Sequence, residues 1–225
     1  MSAVPRASNN SDEKSVIEAV VWYAEHRFPV FPIHRARNGV CSCNQPNCEH
    51  PGKHPRTAHG FLDATTDPRR ITEWWTRWPD ANIAIPTGTP SGLLVIDIDP
   101  RNGGNESWEA LIFEHGRPPD TAEQLSGGGG IHIFFRDPCV PVPKGLAPGI
   151  DVKSSGGYII VEPSIHPSGR QYAWDGLAGK EKLLTVAPVP EWLLSLVAET
   201  RNGAHRSSEP VRVLRRLKAE LSGIA

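Results

Sequence analysis

The stretch Gly92-Leu93-Leu94-Val95-Ile96-Asp97-Ile98-Asp99-Pro100 decides how this chain folds. Its unbroken apolar run predicts a buried β-strand, and Pro100 predicts the end of that strand because proline has no N–H to donate. Side chains two residues apart in a strand point to the same face, so Asp97 and Asp99 are expected to project into one place. Such a carboxylate pair suits a divalent cation such as Mg²⁺. It suits a cap for the following helix or a partner for arginines equally well, and the stretch alone leaves both roles open.

Length and composition set wide limits on what the protein can be. A chain of 225 residues with a net charge of −1 can form one large domain, or a domain with a small appendage, and is not a globally basic nucleic-acid-binding protein. Any nucleic-acid groove must come from local clustering of charge. The sequence has no apolar run of about 18 residues and no apolar N-terminal segment of the signal-peptide kind, so we expect a cytoplasmic protein that does not enter a membrane. Of the four cysteines, Cys139 stands apart and is expected to be a buried small residue.

The other three cysteines lie in a short segment that is rich in proline and poor in apolar residues. Cys41, Cys43 and Cys48 are followed by two histidines, His50 and His54. Three thiols and one imidazole satisfy a structural zinc site, which is normally tetrahedral with Cys and His ligands. His54 is the expected fourth ligand, with His50 as its alternative. A redox-sensitive loop or reduced surface thiols would also explain the cysteines, but clustered exposed thiols are a liability unless they are bound.

The periodicity of apolar residues predicts alternating helices and strands. Helices are expected from Asn10 or Ser11 to about Arg27, from Asp67-Pro68 onward, from Asn105 or Ser107 to Gly116, and over 190–200. Short strands are expected at 28–33 (an edge strand), 82–85, 121–125, 131–135, 150–153, 158–164 and 170–174. The helical spacing of the tryptophans favours core packing over stacking on bases; they are Trp74, Trp75 and Trp78.

Four consecutive glycines, 127–130, precede the strand that carries His132. Glycines carry a heavy backbone-entropy cost, which is offset where backbone amides must approach a phosphate closely, here those of Gly129 and Gly130. The pattern is not a Walker loop, since no Lys-Ser/Thr follows, and not a dinucleotide fingerprint, since a strand follows. A flexible hairpin tip remains the other interpretation of this segment.

Five polar residues on predicted strands or strand ends form a candidate constellation. Three are the carboxylates Asp97, Asp99 and Asp151, and the others are His132 and Lys153. Two metal ions held by three carboxylates are the apparatus for in-line displacement at phosphorus, in which a 3′-hydroxyl attacks a nucleoside triphosphate. His132 and Lys153 would contact the phosphates.

The order of these motifs resembles the bifunctional primase/polymerase N-terminal domain of the archaeo-eukaryotic primase superfamily. The resemblance rests on Asp97-x-Asp99, on the glycine loop with His132, and on Ile150-Asp151-Val152-Lys153 followed by Gly-Gly-Tyr-Ile-Ile-Val-Glu-Pro-Ser. The segment Gly52-Lys53-His54-Pro55 is also similar to the family. The resemblance covers roughly 16–196.

The resemblance implies an α+β fold with an RRM-like antiparallel or mixed sheet flanked by helices and a small zinc-binding insert at about 38–60. The implied catalytic domain spans 11–200. The polar composition of 1–10 predicts a disordered segment before it, and the pattern at 201–225 predicts a hinge and a basic helix after it. The implied activity is template-directed joining of nucleoside triphosphates on single-stranded DNA, with two Mg²⁺ or Mn²⁺ ions and a structural zinc ion. Members are often fused to a helicase, so a helicase domain or protein is an expected partner, and a chain ending at Ala225 is expected to be part of a longer protein or to recruit one.

The resemblance also implies roles for individual residues. Asp97 and Asp99 match the metal-binding acid pair of the family, Asp151 its third acid, and His132 its nucleotide-contacting histidine. Gly130 departs from the family, since it occupies the serine position of the Ser-x-His motif, and a backbone amide is expected to replace the hydroxyl contact.

Two other functions fit parts of the sequence. A non-catalytic zinc-containing module that binds DNA or protein in a replication complex would explain the cysteines, but it leaves the strand-borne acids without a role. A phosphatase with an aspartate nucleophile would want Asp-x-Asp-x-Thr/Val near the start of the chain, whereas Pro100 and Arg101 follow the pair here.

Overall fold

The computed structural model describes residues 10–140, 142 and 145–201, which form a mixed α+β fold. The predictions for 1–9 and 202–225, including the C-terminal basic helix, lie outside the described residues. The helices are α1 (Asn10–Glu25), α2 (Pro68–Arg77), α3 (Gly104–His115) and α4 (Glu191–Arg201), with short 3₁₀ helices at Gly60–Asp63, Pro100–Asn102 and Gly179–Thr185. The strands are β1 (Phe31–Ile33), β2 (Ala36–Arg37), β3 (Val40–Cys41), β4 (Asn82–Pro86), β5 (Leu93–Ile98), β6 (Ala122–Leu125), β7 (Ile131–Arg136), β8 (Gly145–Ala147), β9 (Ile150–Lys153), β10 (Tyr158–Val161) and β11 (Ala173–Trp174).

The predicted apolar strand, β5, lies inside a six-stranded antiparallel sheet with the order β11-β6-β7-β5-β9-β8. Both of its faces are covered, which explains why its apolar run is unbroken rather than alternating. Leu93 and Val95 pack into a core shared with α1, α2 and the second sheet, and Ile96 and Ile98 pack into another core against α3 and α4. Asp97 therefore lies on the same face as Leu93 and Val95.

The second sheet has three antiparallel strands in the order β1-β4-β10, so β1 is the edge strand that the sequence predicts. Asp67 caps α2 by accepting a 2.9 Å hydrogen bond from the N–H of Arg69. This helix buries Trp74 and Trp75, which are 8% and 4% exposed, and Trp78 packs partly buried against the same core. The prediction that these tryptophans are core residues is confirmed.

Four of the predicted strands are shorter in the structure, among them β10 and β11, and one burial prediction is wrong. β10 ends at Val161, just before Glu162-Pro163, because proline cannot donate to a ladder. The strand expected at 170–174 is reduced to β11, which covers two residues. Cys139 is exposed, not buried: the β7 strand has already ended, and Cys139 lies in a turn with φ of 56°. In the part of the chain that the structure describes, no helix is both long and apolar enough to cross a membrane.

Candidate active site and metal centre

A cavity of about 940 Å³ opens where β5 ends. Strands β5, β7, β9 and β10 line it, together with the glycine loop and the cysteine-rich segment. Its charged and polar lining includes His50, Lys53, Asp97, Asp99, Arg101, Ser126, His132, Asp151, Lys153 and His166.

Strand register brings four of the predicted site residues together. Asp97 on β5 is directly opposite His132 on β7 and directly opposite Asp151 on β9. Directly opposed residues lie on the same face of a sheet with their Cβ atoms about 5 Å apart. The Asp97 Oδ1 atom is 3.5 Å from Nε2 of His132, and the Lys153 Nζ atom is 2.7 Å from Oδ2 of Asp151 and 3.7 Å from Oδ2 of Asp97. The result is a compact cluster of two acids, an imidazole and an ammonium group.

Asp99 lines the same cavity, but its oxygens are held by the turn that follows. Its carboxylate caps the 3₁₀ helix by accepting from the N–H of Arg101 at 3.0 Å, and the Arg101 guanidinium donates to both oxygens at 3.0 and 2.9 Å. Asn102 donates to Oδ2 at 3.0 Å. These hydrogen bonds hold the pKa of Asp99 below its ordinary value, and the bond from the Arg101 side chain has the largest effect. Asp99 therefore makes the capping and arginine contacts that were the alternative interpretation of the sequence.

The orientation of His132 is fixed by a buried glutamine. Gln124 on β6 is fully buried; its Oε1 accepts from the N–H of Glu162 at 2.9 Å, and its Nε2 donates to the carbonyl oxygen of Ile160 at 2.9 Å. The same amide nitrogen lies 3.0 Å from Nδ1 of His132. The two backbone bonds establish which end of the Gln124 amide is the oxygen and which is the nitrogen. The nitrogen can only donate, so Nδ1 of His132 accepts, and the imidazole proton is on Nε2, facing Asp97.

His132 is neutral near pH 7. Burial lowers its pKa to about 4, although the negative charge of Asp97 acts in the opposite direction. A neutral imidazole with its proton on Nε2 is a hydrogen-bond donor directed into the cavity. Gln124 was not singled out in the sequence. The available signal was an amide on the predicted strand next to the one that carries His132.

Basic residues to which the sequence analysis assigned no role in the site also line the cavity beside the acids. Lys53 is half-buried, and burial lowers its pKa, as does the nearby Arg101, while Asp97 and Asp99 raise it. Burial, together with the positive charges of Lys53 and Arg101, lowers the pKa of His166 to about 4. The cavity thus combines carboxylates with positive groups, an arrangement that suits a ligand carrying phosphates and metal ions.

The glycine loop is the tip of the β6–β7 hairpin, and two of its four glycines are required by neighbouring protein atoms. A Cβ atom on Gly127 would lie 2.6 Å from the carbonyl oxygen of Arg170, and one on Gly130 would lie 2.5 Å from that of Ile98. Such distances are too short for a side chain. The hairpin-tip interpretation therefore accounts for the local structure, although Gly128 and Gly130 also line the cavity.

The amides of Gly129 and Gly130, which the sequence offered for phosphates, are engaged within the loop. Gly129 donates to the carbonyl oxygen of Ser126 at 2.9 Å, and Gly130 donates to the Ser126 hydroxyl at 3.0 Å. The Ser126 Oγ atom lies 3.2 Å from the position that a Cβ atom on Gly130 would take. A serine hydroxyl is thus present close to where a side chain at position 130 would begin, but it comes from position 126.

The cysteine segment forms a candidate metal centre. The ligand atoms of Cys41, Cys43, Cys48 and His54 all lie within 4.8 Å of one another. The Nε2 atom of His54 is 3.4 Å from Sγ of Cys41 and 3.5 Å from Sγ of Cys48. Zinc–ligand bonds of the usual length place tetrahedral ligand atoms about 3.5 Å apart, so the donor set fits a zinc ion in type and spacing. His50 is outside this cluster and lines the cavity instead.

One thiol of the cluster is prepared for metal binding. Burial raises the pKa of Cys41, but N–H groups of Cys43 and Gly52 outweigh it and bring the pKa to about 6. A thiolate is the form of cysteine that ligates a metal ion.

The fold and cavity define a mixed α+β protein with an acid-lined site beside a candidate Cys/His metal centre. A family model, the N-terminal domain of bifunctional DNA primase/polymerase, matches residues 20–192. This covers most of the chain, so the protein belongs to that family, as its motifs predicted. A comparison with curated proteins gave no match. Membership indicates a nucleotidyltransferase role of the primase/polymerase type, with DNA and nucleotides as ligands.

Proposed function

We propose that this chain joins nucleoside triphosphates on a single-stranded DNA template as a metal-dependent DNA primase/polymerase. The observation that supports this most strongly is the convergence of Asp97, Asp151 and His132 from three neighbouring strands on one cavity. Residues fixed by strand register are held rigidly, as a site for in-line phosphoryl chemistry requires.

The acids fit divalent cations by their chemistry and by their surroundings. Asp97 and Asp151 reach the cavity, and the Lys153 ammonium already lies within 4 Å of both carboxylates, so the site accepts a positive charge between them. Asp99 would be available to a metal ion once the Arg101 guanidinium releases its oxygens. Two bound Mg²⁺ or Mn²⁺ ions supply activation of the attacking 3′-hydroxyl and neutralisation of the triphosphate and the leaving pyrophosphate.

The other residues bind and orient the triphosphate. The Nε2–H group of His132 donates a hydrogen bond to a phosphate oxygen, and the Gln124 amide keeps the imidazole in the tautomer that carries this proton. Lys153, Lys53 and Arg101 supply positive charge. Arg101 would then exchange the Asp99 carboxylate for a phosphate as the metal ions and substrate bind.

The topology supports an RRM-like sheet as the core of this enzyme. Along the chain, β5, α3, β6, β7 and β9 follow one another, with β5 and β7 in the centre of the sheet and β6 and β9 outside them. A βαββαβ sheet of the RRM kind has its first and third strands in the centre as well. In this chain β9 takes the place of the fourth RRM strand, and β8 precedes it where the RRM has a second helix.

The test is incorporation of labelled nucleotides on single-stranded DNA, unprimed and primed, with Mg²⁺ or Mn²⁺. We expect products from the wild type, and a loss of at least about 10²-fold in Asp97→Asn, the scale on which loss of one electrostatic stabiliser acts. Asp120→Asn is the matched control, since Asp120 is an exposed acid paired with Lys182. Equal incorporation by Asp97→Asn would refute the proposal. A wild type that binds DNA without incorporating nucleotides would favour the non-catalytic zinc module. A helicase partner stays a prediction.

A further inference from the structure

The cysteine cluster and the cavity share one short segment of chain. Between the third ligand, Cys48, and the fourth, His54, lie His50 and Lys53, and both of these line the cavity. The segment turns back on itself, since the N–H of Lys53 donates to the carbonyl oxygen of His50 at 3.1 Å. We refer to residues 49–54 as the arm. Its two ends are therefore attached to the candidate metal centre, and its middle reaches the candidate active site.

The backbone of the arm is attached to the cluster on one side and to the fold on the other. The N–H of Gly52 donates to Sγ of Cys41 at 3.4 Å, and the carbonyl oxygen of Lys53 accepts from the Tyr158 hydroxyl of β10 at 2.8 Å. Gly52 adopts φ of 68° against Ala36, where a Cβ atom would lie 2.8 Å from the Ala36 nitrogen. These contacts determine where the Lys53 side chain enters the cavity.

Apolar packing contributes little to holding the arm. In the hairpin of β2 and β3 that faces it, Val40 is 67% exposed and only the small residues Ala36 and Cys41 are buried. A segment of this kind acquires its order from metal–ligand bonds. Lys53 makes no salt bridge with a carboxylate of the described residues, although its charged neighbours in the cavity include the acids Asp97 and Asp99 as well as the cations Arg101 and Lys153. Its ammonium group is thus available to an anion.

We propose that the metal centre of Cys41, Cys43, Cys48 and His54 holds Lys53 in the cavity, where its ammonium group binds the triphosphate of the incoming nucleotide. The inference rests on the proposed function, because it assumes a triphosphate in the cavity. It assigns the metal a positioning role in nucleotide binding. The metal ligands themselves touch no substrate.

The experiment is a double-mutant cycle read by equilibrium binding of a fluorescent nucleoside triphosphate in the presence of Mg²⁺. Lys53→Ala is expected to weaken binding about tenfold, as loss of a charge-assisted hydrogen bond does. Cys48→Ser is expected to lower the zinc content and to weaken binding by about the same factor. Because both changes remove one interaction, the double variant is expected to be no weaker than either. Cys139→Ser, an exposed thiol outside the cluster, is the matched control.

Stripping zinc from the wild type with a chelator, then restoring it, gives a second measurement that does not depend on how a variant folds. Hydrogen exchange should accelerate at the arm in the stripped protein and stay unchanged in β5, and nucleotide affinity should recover with zinc. Two results would overturn the inference: multiplied losses in the double variant, or stripped protein with full nucleotide affinity. A wild type that binds no nucleotide would refute the proposed function itself, so the two failures are distinguishable.

Discussion

Replacing Gln124 by leucine tests whether the buried amide really holds the candidate site together. The change keeps the size of the side chain and removes three hydrogen bonds, to the N–H of Glu162, the carbonyl oxygen of Ile160 and Nδ1 of His132. The three partner groups then lose their hydrogen bonds to the amide. Because Gln124 is 0% exposed, water does not replace these bonds. At about 1–2 kcal/mol for each unsatisfied group, partly offset by the apolar side chain, the free energy of unfolding should fall by about 3 kcal/mol.

The measurement is urea-induced unfolding at neutral pH, with Gln171→Leu as the matched control. Gln171 is an exposed glutamine with one bond, to the carbonyl oxygen of Pro163 at 3.1 Å, and its replacement should cost less than about 1 kcal/mol. Nitrogen-15 NMR of the His132 ring gives an independent readout. The wild type should show a protonated Nε2 and an unprotonated Nδ1, and Gln124→Leu should lose this single tautomer. Equal destabilisation by the two substitutions, with an unchanged ring spectrum, would refute the reasoning.

Two further predictions follow from packing and from proton binding. Gly130→Ala should destabilise the fold by about 1–3 kcal/mol because its Cβ would meet the Ile98 carbonyl oxygen. Gly145→Ala, with open space around the added Cβ, is the control and should be neutral. Equal midpoints of the two variants in thermal unfolding would contradict this prediction. Because the pKa of His132 is about 4 in the fold and 6.5 as the ordinary value, the unfolded chain binds more protons between these pH values, so stability should be lost as the pH falls from about 6.5 to 4. His132→Gln should make the unfolding free energy depend less on pH over that range, and an unchanged dependence would show that His132 is not responsible.

Local patterns in the sequence predicted the elements well, and strand pairing explains what they missed. The apolar run of β5 identified a strand buried on both faces, and the period of two placed Asp97 and Asp151 on definable faces of their strands. That β7 and β9 flank β5 in a register opposing His132 and Asp151 to Asp97 is a property of the whole sheet, which local periodicity does not contain.

Two residues to which sequence reasoning gave no role reach the site, one from the neighbouring strand and one from the cysteine-rich segment. Gln124 acts through the neighbouring strand, and Lys53 arrives on the arm of the cysteine cluster. Gln124 carried no motif, and Lys53, although it lies in the Gly52-Lys53-His54-Pro55 segment that resembles the family, had no role assigned until its place in the cavity was known. Asp99 is the opposite case, in which a local sequence signal was enough to predict the contacts. The Asp-Pro-Arg-Asn turn is a local capping signal, and the local contacts prevailed over the expected open carboxylate.

The two halves of the cavity differ in what keeps them in place. Asp97, His132 and Asp151 belong to central strands whose apolar neighbours are almost fully buried, so their positions follow from the folding of the sheet. Lys53 belongs to a segment with few buried apolar side chains, and in our proposal its position depends on a metal ion at the cysteine cluster. A chain divided in this way would keep its acids in register whether or not a metal ion occupies the cysteine cluster. Loss of zinc should therefore reduce nucleotide affinity before it reduces the stability of the sheet, and the hydrogen-exchange difference between the arm and β5 is the direct measure of that order.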